Sequence, residues 1–298
     1  MDKLSKTSLN YYLSEYLADL KRAGVQELWR GDSEGSAAER RDDAPQSEAR
    51  PAPRPAPRPA PAAVARAPVV NASSTCANDV YAELARALEV AAGAGAADDV
   101  VSRTARLRAI AAVVARCAQC PALVANRTQT VFGKGNPCSE LVFIGEGPGA
   151  EEDLRGEPFV GRSGKLLTDM IEKGMGLSRS DVYICNIVRC RPPGNRNPTV
   201  EEARACRPFL DATLGVVRPK YVCCLGSIAA TNLLGVETSI GRLRGMAHEH
   251  NGAQVVCTYH PAYLLRNPSA KKDAWQDLQL LMRIMGLAIP TKKRSSES

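Results

Sequence analysis

Residues 141–167 read LVFIGEGPGAEEDLRGEPFVGRSGKLL, and the expected fold is built outward from this segment. Its first four residues form an apolar run that has the length of a buried strand and is too short for a helix. The glycines and proline of residues 145–149 predict a tight, irregular turn at which a ligand can approach the backbone closely. Carboxylates, the aromatic residue Phe159 and the start of a helix near Ser163 follow. Such a segment predicts a pocket at the carboxyl edge of an open α/β sheet, and the alternative is a surface turn with solvated acids.

Three further segments have the composition of strands, and each is followed by a helical or loop segment. The predicted strands are residues 141–145, 181–188, 221–226 and 254–260. The predicted helices among them are residues 163–173, 199–214, 227–234 and 271–285. Two earlier helices are indicated by apolar residues at helical spacing, which are Val80, Leu84, Leu88, Val90, Leu107, Ile110, Val113 and Val114. This alternation predicts an α/β fold with a central, mostly parallel four-stranded sheet and helices on both faces.

The first quarter of the chain differs in composition. Residues 1–31 contain a predicted amphipathic helix, which either docks a partner protein or packs on the main domain. Residues 32–75 include PAPRPAPRPAPAA, whose prolines favour an extended spacer over a packed core. We therefore expect a helical N-terminal extension and a disordered linker, then one α/β domain over residues 76–290 and a disordered tail over residues 291–298.

Composition narrows the class of protein. Hydrophobic residues make up 44% of the 298 residues, enough for a sizeable core. No apolar run approaches the roughly 20 residues of a membrane span, and the N-terminus lacks the pattern of a secretory signal. We therefore expect a cytoplasmic, nucleoid-associated monomer that has no membrane partner. The net charge of +7 comes from the C-terminal two-thirds of the chain, which suits a polyanionic partner.

Polar residues mark the edge at which the parallel strands end together. Glu146 follows the first predicted strand and Asn186 lies late in the second. Ser227 follows the third, and His260 lies at the end of the fourth. Because ligands of open α/β sheets bind at this edge, the four residues predict one shared site. The Asn186 amide offers both a donor and an acceptor and so can read the edge of a pyrimidine, although asparagines also cap turns. His260 can donate to a developing negative charge, or it is an ordinary surface histidine.

The cysteines point to a metal site. Ten cysteines in a reducing compartment indicate thiols or metal ligands rather than disulfides. Cys117 and Cys120 form a CxxC pair, which serves zinc, redox and iron–sulfur chemistry alike. Cys190 and Cys206 form a second pair, unless they are ordinary buried cysteines. The long loop between them is unlike a compact zinc ribbon and favours a [4Fe–4S] cluster over zinc.

Three segments together closely resemble the family 4 uracil-DNA glycosylases, the iron–sulfur branch of their superfamily. They are residues 145–167, the NIVRCRPPGNRNP segment at 186–198 and the TYHPAYLLRNP segment at 258–268. The resemblance covers roughly residues 107–287 and does not extend to residues 1–75. It implies a monofunctional glycosylase of base excision repair, which flips uracil out of DNA, hydrolyses its N-glycosidic bond and leaves an abasic site.

The resemblance also implies roles for individual residues in the base pocket. Phe159 would stack on uracil, Asn186 would pair with its polar edge, and His260 would hydrogen-bond O2 as the base departs. Glu146 would orient the attacking water, a task that suits a carboxylate. The main chain around Gly145 and Gly147 would line the pocket, and Gly147 replaces an alanine common in the family, with little effect expected. Glu152 would lie beside uracil C5 and reject the methyl group of thymine.

Other residues are implied to contact DNA or metal. The implied DNA-binding residues are Arg191, Arg196, Ser227, Leu264, Leu265 and Arg266. One of the two leucines would fill the gap left by the flipped base, and which one is open. The implied cluster ligands are Cys117, Cys120, Cys190 and Cys206, and the cluster's role would be structural. The absence of histidine between Asn186 and Cys206 argues against the covalent chemistry of a related branch. The alternatives are a non-catalytic iron–sulfur protein that binds damaged DNA and an accessory redox protein.

Overall fold

The structure is a computed structural model that describes residues 77–93 and 98–290. The predictions for residues 1–31, 32–75 and 291–298 therefore lie outside the described residues. The α-helices are α1 (Ala77–Gly93), α2 (Val100–Arg116), α3 (Pro121–Asn126), α4 (Ala150–Arg155), α5 (Arg162–Asp169), α6 (Val200–Val217), α7 (Ser227–Leu234), α8 (Ile240–Leu243), α9 (Pro261–Arg266) and α10 (Lys271–Ile284). Short 3-10 turns cover Pro193–Asn195 and Pro268–Ala270, and a π-helical turn covers Met170–Met175.

The strands form one sheet with a parallel centre and antiparallel edges. They are β1 (Lys134–Gly135), β2 (Leu141–Gly145), β3 (Tyr183–Asn186), β4 (Tyr221–Leu225), β5 (Ala247–His250) and β6 (Ala253–Thr258). Their order is β1-β3-β2-β4-β6-β5. The strands β3, β2, β4 and β6 are parallel, whereas β1 and β5 pair antiparallel at the two edges. The α/β class and the four parallel strands are confirmed.

The predicted number of four strands is wrong, because the sheet has six. Strand β1 has only two residues, and both are exposed. Strand β5 reads AHEH and is at most half-buried. Such short, polar sequences are typical of sheet edges, where charged side chains discourage pairing with other chains. They lack the buried apolar run by which the central strands were predicted, so pattern alone missed them.

The helix predictions hold with small differences in bounds. Helix α7 occupies the predicted residues, and α6 runs three residues further than predicted, ending before the proline at position 219. The helix predicted at residues 163–173 is α5 followed by the π-helical turn. In α1, Leu84 and Leu88 are buried, but Val90 is 76% exposed, so its place in the apolar pattern was wrong.

The core lies on both faces of the sheet. Because successive strand residues point to opposite faces, Leu141 and Phe143 of β2 share one face. They pack there with Leu225 and with residues of α5, the π-helical turn and α10. The intervening residues of β2 are also buried, and α7 contacts β4 and β2. Helix α1 packs on α2, which packs on α6. None of the helices in the described residues is long and apolar enough to cross a membrane.

Candidate active site

The carboxyl ends of β2 and β3 meet at a narrow gap. Gly145 pairs with Asn186 in the parallel ladder. A Cβ atom at position 145 would lie 2.5 Å from both Asn186 Oδ1 and Phe159 Cζ, so only glycine fits between them. Asn186 is 1% exposed, and its Oδ1 has no hydrogen-bond partner among the described residues. A buried acceptor without a donor costs about 1–3 kcal/mol, so this oxygen is arranged for a donor that the folded chain does not supply.

Phe159 is held in a backbone conformation that is rare for an aromatic residue. Its φ angle is 53°, in the left-handed region. A Cβ at Gly164 would overlap the Phe159 carbonyl, so the first turn of α5 packs directly against this residue. Arg179 donates to the carbonyls of Pro158 and Phe159, at 2.9 and 3.0 Å. The same guanidinium donates to Thr168 Oγ1 at 2.9 Å, which ties the loop to α5.

Glu152 holds the other side of this loop. Its Oε1 accepts hydrogen bonds from the amides of Val160 and Gly161, both at 2.9 Å. The side chain is 8% exposed. The loop that carries Phe159 is thus fixed by a cation at its carbonyls and a carboxylate at its amides. This contact gives Glu152 a structural role, and its rejection of thymine remains a prediction.

His260 faces Phe159 across the edge of the sheet. The two ring centroids lie 5.6 Å apart, with 32° between the ring planes. The amide of Ala262 donates to His260 Nδ1 at 3.1 Å, so the neutral ring carries its proton on Nε2. Burial and, to a smaller extent, the charge of Arg266 lower the pKa of His260 to about 4, while Glu152 opposes the shift. His260 is therefore a neutral hydrogen-bond donor at physiological pH.

Glu146 follows Gly145 directly and is half-buried. Burial raises the pKa of its carboxyl group. The carboxylate has no ion pair or hydrogen bond within the part of the chain that the structure describes, whereas its main-chain carbonyl accepts from the Val188 amide at 3.1 Å. A partly buried carboxylate that has no protein partner is free to bind a water molecule. A Cβ at Gly147 would lie 2.8 Å from Val188 Cγ2, so an alanine there would require a shift of the valine side chain.

The segment after His260 presents one of its two leucines to solvent. Leu264 is 2% exposed, whereas Leu265 is 37% exposed. Arg266 is also exposed, in the last turn of α9. Tyr263 is 39% exposed and stacks on Tyr259 at 5.0 Å between ring centroids. Tyr263 could not be singled out from the sequence, because only the folded chain shows that its ring lies at the surface.

The remaining implied DNA-binding residues are Arg196, Arg191 and Ser227, and they differ in how far their side chains are already engaged within the protein. Arg196 makes a bidentate ion pair with Glu202, at 2.8 and 2.6 Å, which lowers the pKa of that carboxyl group. This pair anchors the arginine-rich loop, which is formed by the NIVRCRPPGNRNP segment at residues 186–198, to the capped start of α6. The Arg196 guanidinium is therefore already engaged. Arg191 Nε donates to Asn195 Oδ1 at 2.8 Å. Ser227 is half-buried at the first residue of α7.

The four predicted metal-binding cysteines line one small cavity. Cys117 directly follows α2, Cys120 precedes α3, Cys190 follows β3, and Cys206 lies in α6. All four line the cavity together with Arg127. Burial raises the pKa of Cys117, and it raises the pKa values of Cys120 and Cys206 to about 12; the neighbouring thiols add to these shifts. Among the described residues, no three ligating side chains converge on a single metal ion.

Two arginines beside these cysteines were not found from the sequence. Arg127 Nη1 donates to Cys190 Sγ at 2.9 Å, and its Nη2 donates to the Cys117 carbonyl at 2.9 Å. Arg189 is 0% exposed. Like Arg179, they carry no local motif, because their partners lie on segments distant in sequence. The other described cysteines, apart from the half-buried Cys138, are buried in strands.

Comparison with known proteins places this arrangement in a family. The model of the "Uracil DNA glycosylase superfamily" matches residues 132–279. The chain is 46% identical over 165 residues to the "Type-4 uracil-DNA glycosylase" of Thermotoga maritima, which spans 55% of this chain and 85% of that protein. It is 41% identical over 190 residues to the protein of the same name from Archaeoglobus fulgidus, covering 61% and 94%. Identity to the "Type-5 uracil-DNA glycosylase" of Pyrobaculum aerophilum is 30% over 183 residues, 51% of this chain and 80% of that protein. The chain therefore belongs to the type-4 uracil-DNA glycosylases.

Proposed function

We propose that this chain removes uracil from DNA as a monofunctional glycosylase of base excision repair, hydrolysing the N-glycosidic bond and leaving an abasic site. Its membership of the type-4 family supports this activity. The single observation that carries the proposal is the unpaired, buried Oδ1 of Asn186 beside the Phe159 ring. Uracil presents an N3–H donor next to its O4 acceptor, and an asparagine amide matches that pair.

The ring and the imidazole complete the proposed base pocket. Phe159 offers a face for a flipped base, and aromatic stacking contributes about 1–3 kcal/mol per base. The neutral His260 donates through Nε2–H to uracil O2, where negative charge develops as the base leaves. A neutral donor suits this task, because it stabilises the departing anion without losing its own proton. The backbone at Gly145 and Gly147 approaches the base closely because neither residue has a side chain.

Glu146 is the proposed water-binding residue. Its carboxylate follows the pocket glycine and has no protein partner within the described residues, so it is available to orient water toward the sugar. A carboxylate there also stabilises the oxocarbenium-like sugar that forms as the bond breaks. Because burial raises the pKa of Glu146, we expect activity to be lost at acidic pH as this carboxylate becomes protonated.

Leu265 is the better candidate for the residue that fills the gap in the duplex. It is exposed and precedes the exposed Arg266, which suits a phosphate contact, whereas Leu264 belongs to the core. Unstacking a base costs a few kcal/mol, and an inserted apolar side chain offsets part of this cost. We propose Arg191 and Ser227 as further DNA contacts and assign Arg196 to the support of its own loop.

We further propose that Cys117, Cys120, Cys190 and Cys206 hold a [4Fe–4S] cluster. A zinc ion needs four sulfurs at about 2.3 Å from one point, whereas a cubane cluster places each thiolate on a different iron. The four cysteines line one shared cavity, and the long loop between Cys190 and Cys206, unlike a compact zinc ribbon, favours the cluster. The cluster supplies a rigid link that joins α2, α3, α6 and the arginine-rich loop.

A single-turnover assay tests the activity. Full-length protein in excess is mixed with an oligonucleotide that contains one uracil, and alkali then cleaves the strand at abasic sites. We expect cleavage at uracil and none at thymine or cytosine. Glu146→Gln and His260→Gln should retain DNA affinity while base release falls by about 10²–10⁴-fold, the usual contribution of such groups. DNA binding without base release by cluster-loaded wild type would instead support a non-catalytic sensor.

Metal analysis of the purified protein tests the cluster. We expect about four irons and four sulfides per chain and a brown colour. Cys190→Ser should lose iron, whereas Cys138→Ser should keep it, because Cys138 lies outside the cavity. Zinc in place of iron would refute the cluster proposal while leaving the glycosylase assay unaffected.

A further inference from the structure

Arg189 is a fully buried cation that has no anionic partner among the described residues. It is the largest side chain among those that are fully buried. Its Nη1 donates to the Asn186 carbonyl at 2.9 Å, and its Nη2 donates to Thr213 Oγ1 at 3.2 Å. Its Nε has no hydrogen-bond partner among the described residues. Asp and Glu carboxylates form twelve ion pairs in the described chain, and none involves Arg189.

The other groups that face the guanidinium are neutral. The Phe132 ring centroid lies 5.3 Å from its central carbon. The Cys185 thiol lies against it from β3, and burial raises the pKa of that thiol although Arg189 opposes the shift, so it stays protonated. A buried charge that is not balanced by an opposite charge is strongly unfavourable. Among the described residues, the fold thus places a positive charge in the interior without a carboxylate beside it.

A cluster held by the neighbouring cysteines would supply the negative charge that balances Arg189. The next residue in the chain is Cys190, and α6, which supplies Thr213 to the guanidinium, also supplies Cys206 to the cysteine cavity. The Arg189 side chain lies among the segments that hold these two cysteines. Four thiolates around an iron–sulfur core carry a net negative charge, and such charge is part of what sets the reduction potential of a cluster. Arg127 contacts the same set of cysteines, but it is only partly buried and has water as an alternative partner.

We propose that Arg189 is the internal counter-cation of the cysteine-held cluster: it balances the cluster's charge inside the protein and keeps the cluster bound. This inference rests on the proposed cluster. It makes Arg189 a positioning residue rather than a catalytic one, since it touches the Asn186 main chain and not the base. It also explains why an arginine without a carboxylate is tolerated where no water reaches it.

Two substitutions separate charge from shape. Arg189→Gln keeps a donor for the Asn186 carbonyl but removes the charge, whereas Arg189→Lys keeps the charge but loses the planar fork. Arg283→Gln is the matched control, because Arg283 is exposed on α10. Iron and sulfide content, the rate of cluster loss to an iron chelator, and the reduction potential by spectroelectrochemistry are measured on each full-length protein.

We expect Arg189→Gln to lose its cluster at least about ten times faster than wild type, the lower end of the usual effect of groups behind metal ligands. Its reduction potential should fall, because removing a nearby cation disfavours the added electron. Arg189→Lys should restore the potential, and Arg283→Gln should match wild type.

The inference would be overturned if Arg189→Gln had the same rate of cluster loss to the chelator and the same reduction potential as wild type. If Arg189→Gln is insoluble, Arg189→Lys provides the test. We expect it to have the reduction potential of wild type. A potential well below that of wild type would show that the positive charge at residue 189 does not set the potential. Wild type without iron would instead remove the cluster proposal itself.

Discussion

Substitution of Gly145 by alanine is the sharpest test of the base pocket. A Cβ at this position would lie 2.5 Å from Asn186 Oδ1 and 2.5 Å from Phe159 Cζ, whereas ordinary contacts begin at 3.4 Å. One or both groups must therefore retreat by roughly 1 Å. Both are buried, at 1% and 6% exposure, so neither can swing into solvent. The added methyl group would push apart the amide and the ring that we assign to the same base.

Gly145→Ala should reduce the stability of the protein modestly and its rate of uracil release strongly. Extra volume in a packed core costs about 1–3 kcal/mol of unfolding free energy, which leaves most of the protein folded. A misplacement of about 1 Å at a reacting site can cost about 10²-fold in rate. We therefore expect Gly145→Ala to reduce single-turnover uracil release by about 10²-fold or more, with a modest loss of stability in urea.

Gly215→Ala is the matched control. Gly215 lies within α6, and no atom lies within 4 Å of the position of an added Cβ. Alanine should keep the wild-type rate there and stabilise the helix by about 0.5–1 kcal/mol. If Gly145→Ala released uracil within about threefold of wild type, the gap between Asn186 and Phe159 would not be the base pocket and the reasoning from geometry to rate would fail.

Three further predictions concern the walls of the pocket and the DNA-facing segment. Arg179→Met should reduce single-turnover rate by about 10–100-fold, and a double-mutant cycle with Phe159→Leu should be strongly non-additive, because the arginine acts through the position of that ring. Because the pKa of His260 lies at about 4, the rate should show no inflection near pH 6.5. It should fall at lower pH, where protonation removes the Nδ1 acceptor of His260 and neutralises the Glu146 carboxylate. Leu264→Ala should cost about 2–5 kcal/mol of unfolding free energy, whereas Leu265→Ala should leave stability unchanged and slow release from duplex DNA more than from single strands.

Each of these has an outcome that contradicts it. Additive effects of Arg179→Met and Phe159→Leu would mean that the arginine supports the fold in general; Arg283→Met serves as the surface control. An inflection near pH 6.5 that disappears in His260→Gln would show that His260 titrates normally. Equal loss of stability in the two leucine variants would show that Leu265 is also part of the core.

Local pattern in the amino-acid sequence is enough to predict the centre of the fold and the edge that carries the site. The four central strands have short apolar runs followed by glycine or polar residues, so their existence and the edge at which Glu146, Asn186 and His260 gather could be predicted. Parallel strands bring their carboxyl ends together whatever the details of packing. The CxxC pair and the three motif segments also depend on residues close in sequence, which is why the amino-acid sequence alone carries the family resemblance.

Properties that depend on residues distant in the sequence could be determined only from the folded chain. The edge strands β1 and β5 form because each has a partner strand to pair with. Neither is apolar enough to be predicted from its own residues. Leu264 and Leu265 are identical in type and adjacent in sequence, and only packing buries one and exposes the other. Arg179, Arg189 and Arg196 look alike in the sequence. In the described structure, however, Arg179 holds a loop, Arg189 is buried without a carboxylate partner and Arg196 pairs with a carboxylate. Charge, burial and hydrogen bonding are set by what the fold brings near a side chain, and no local pattern records that.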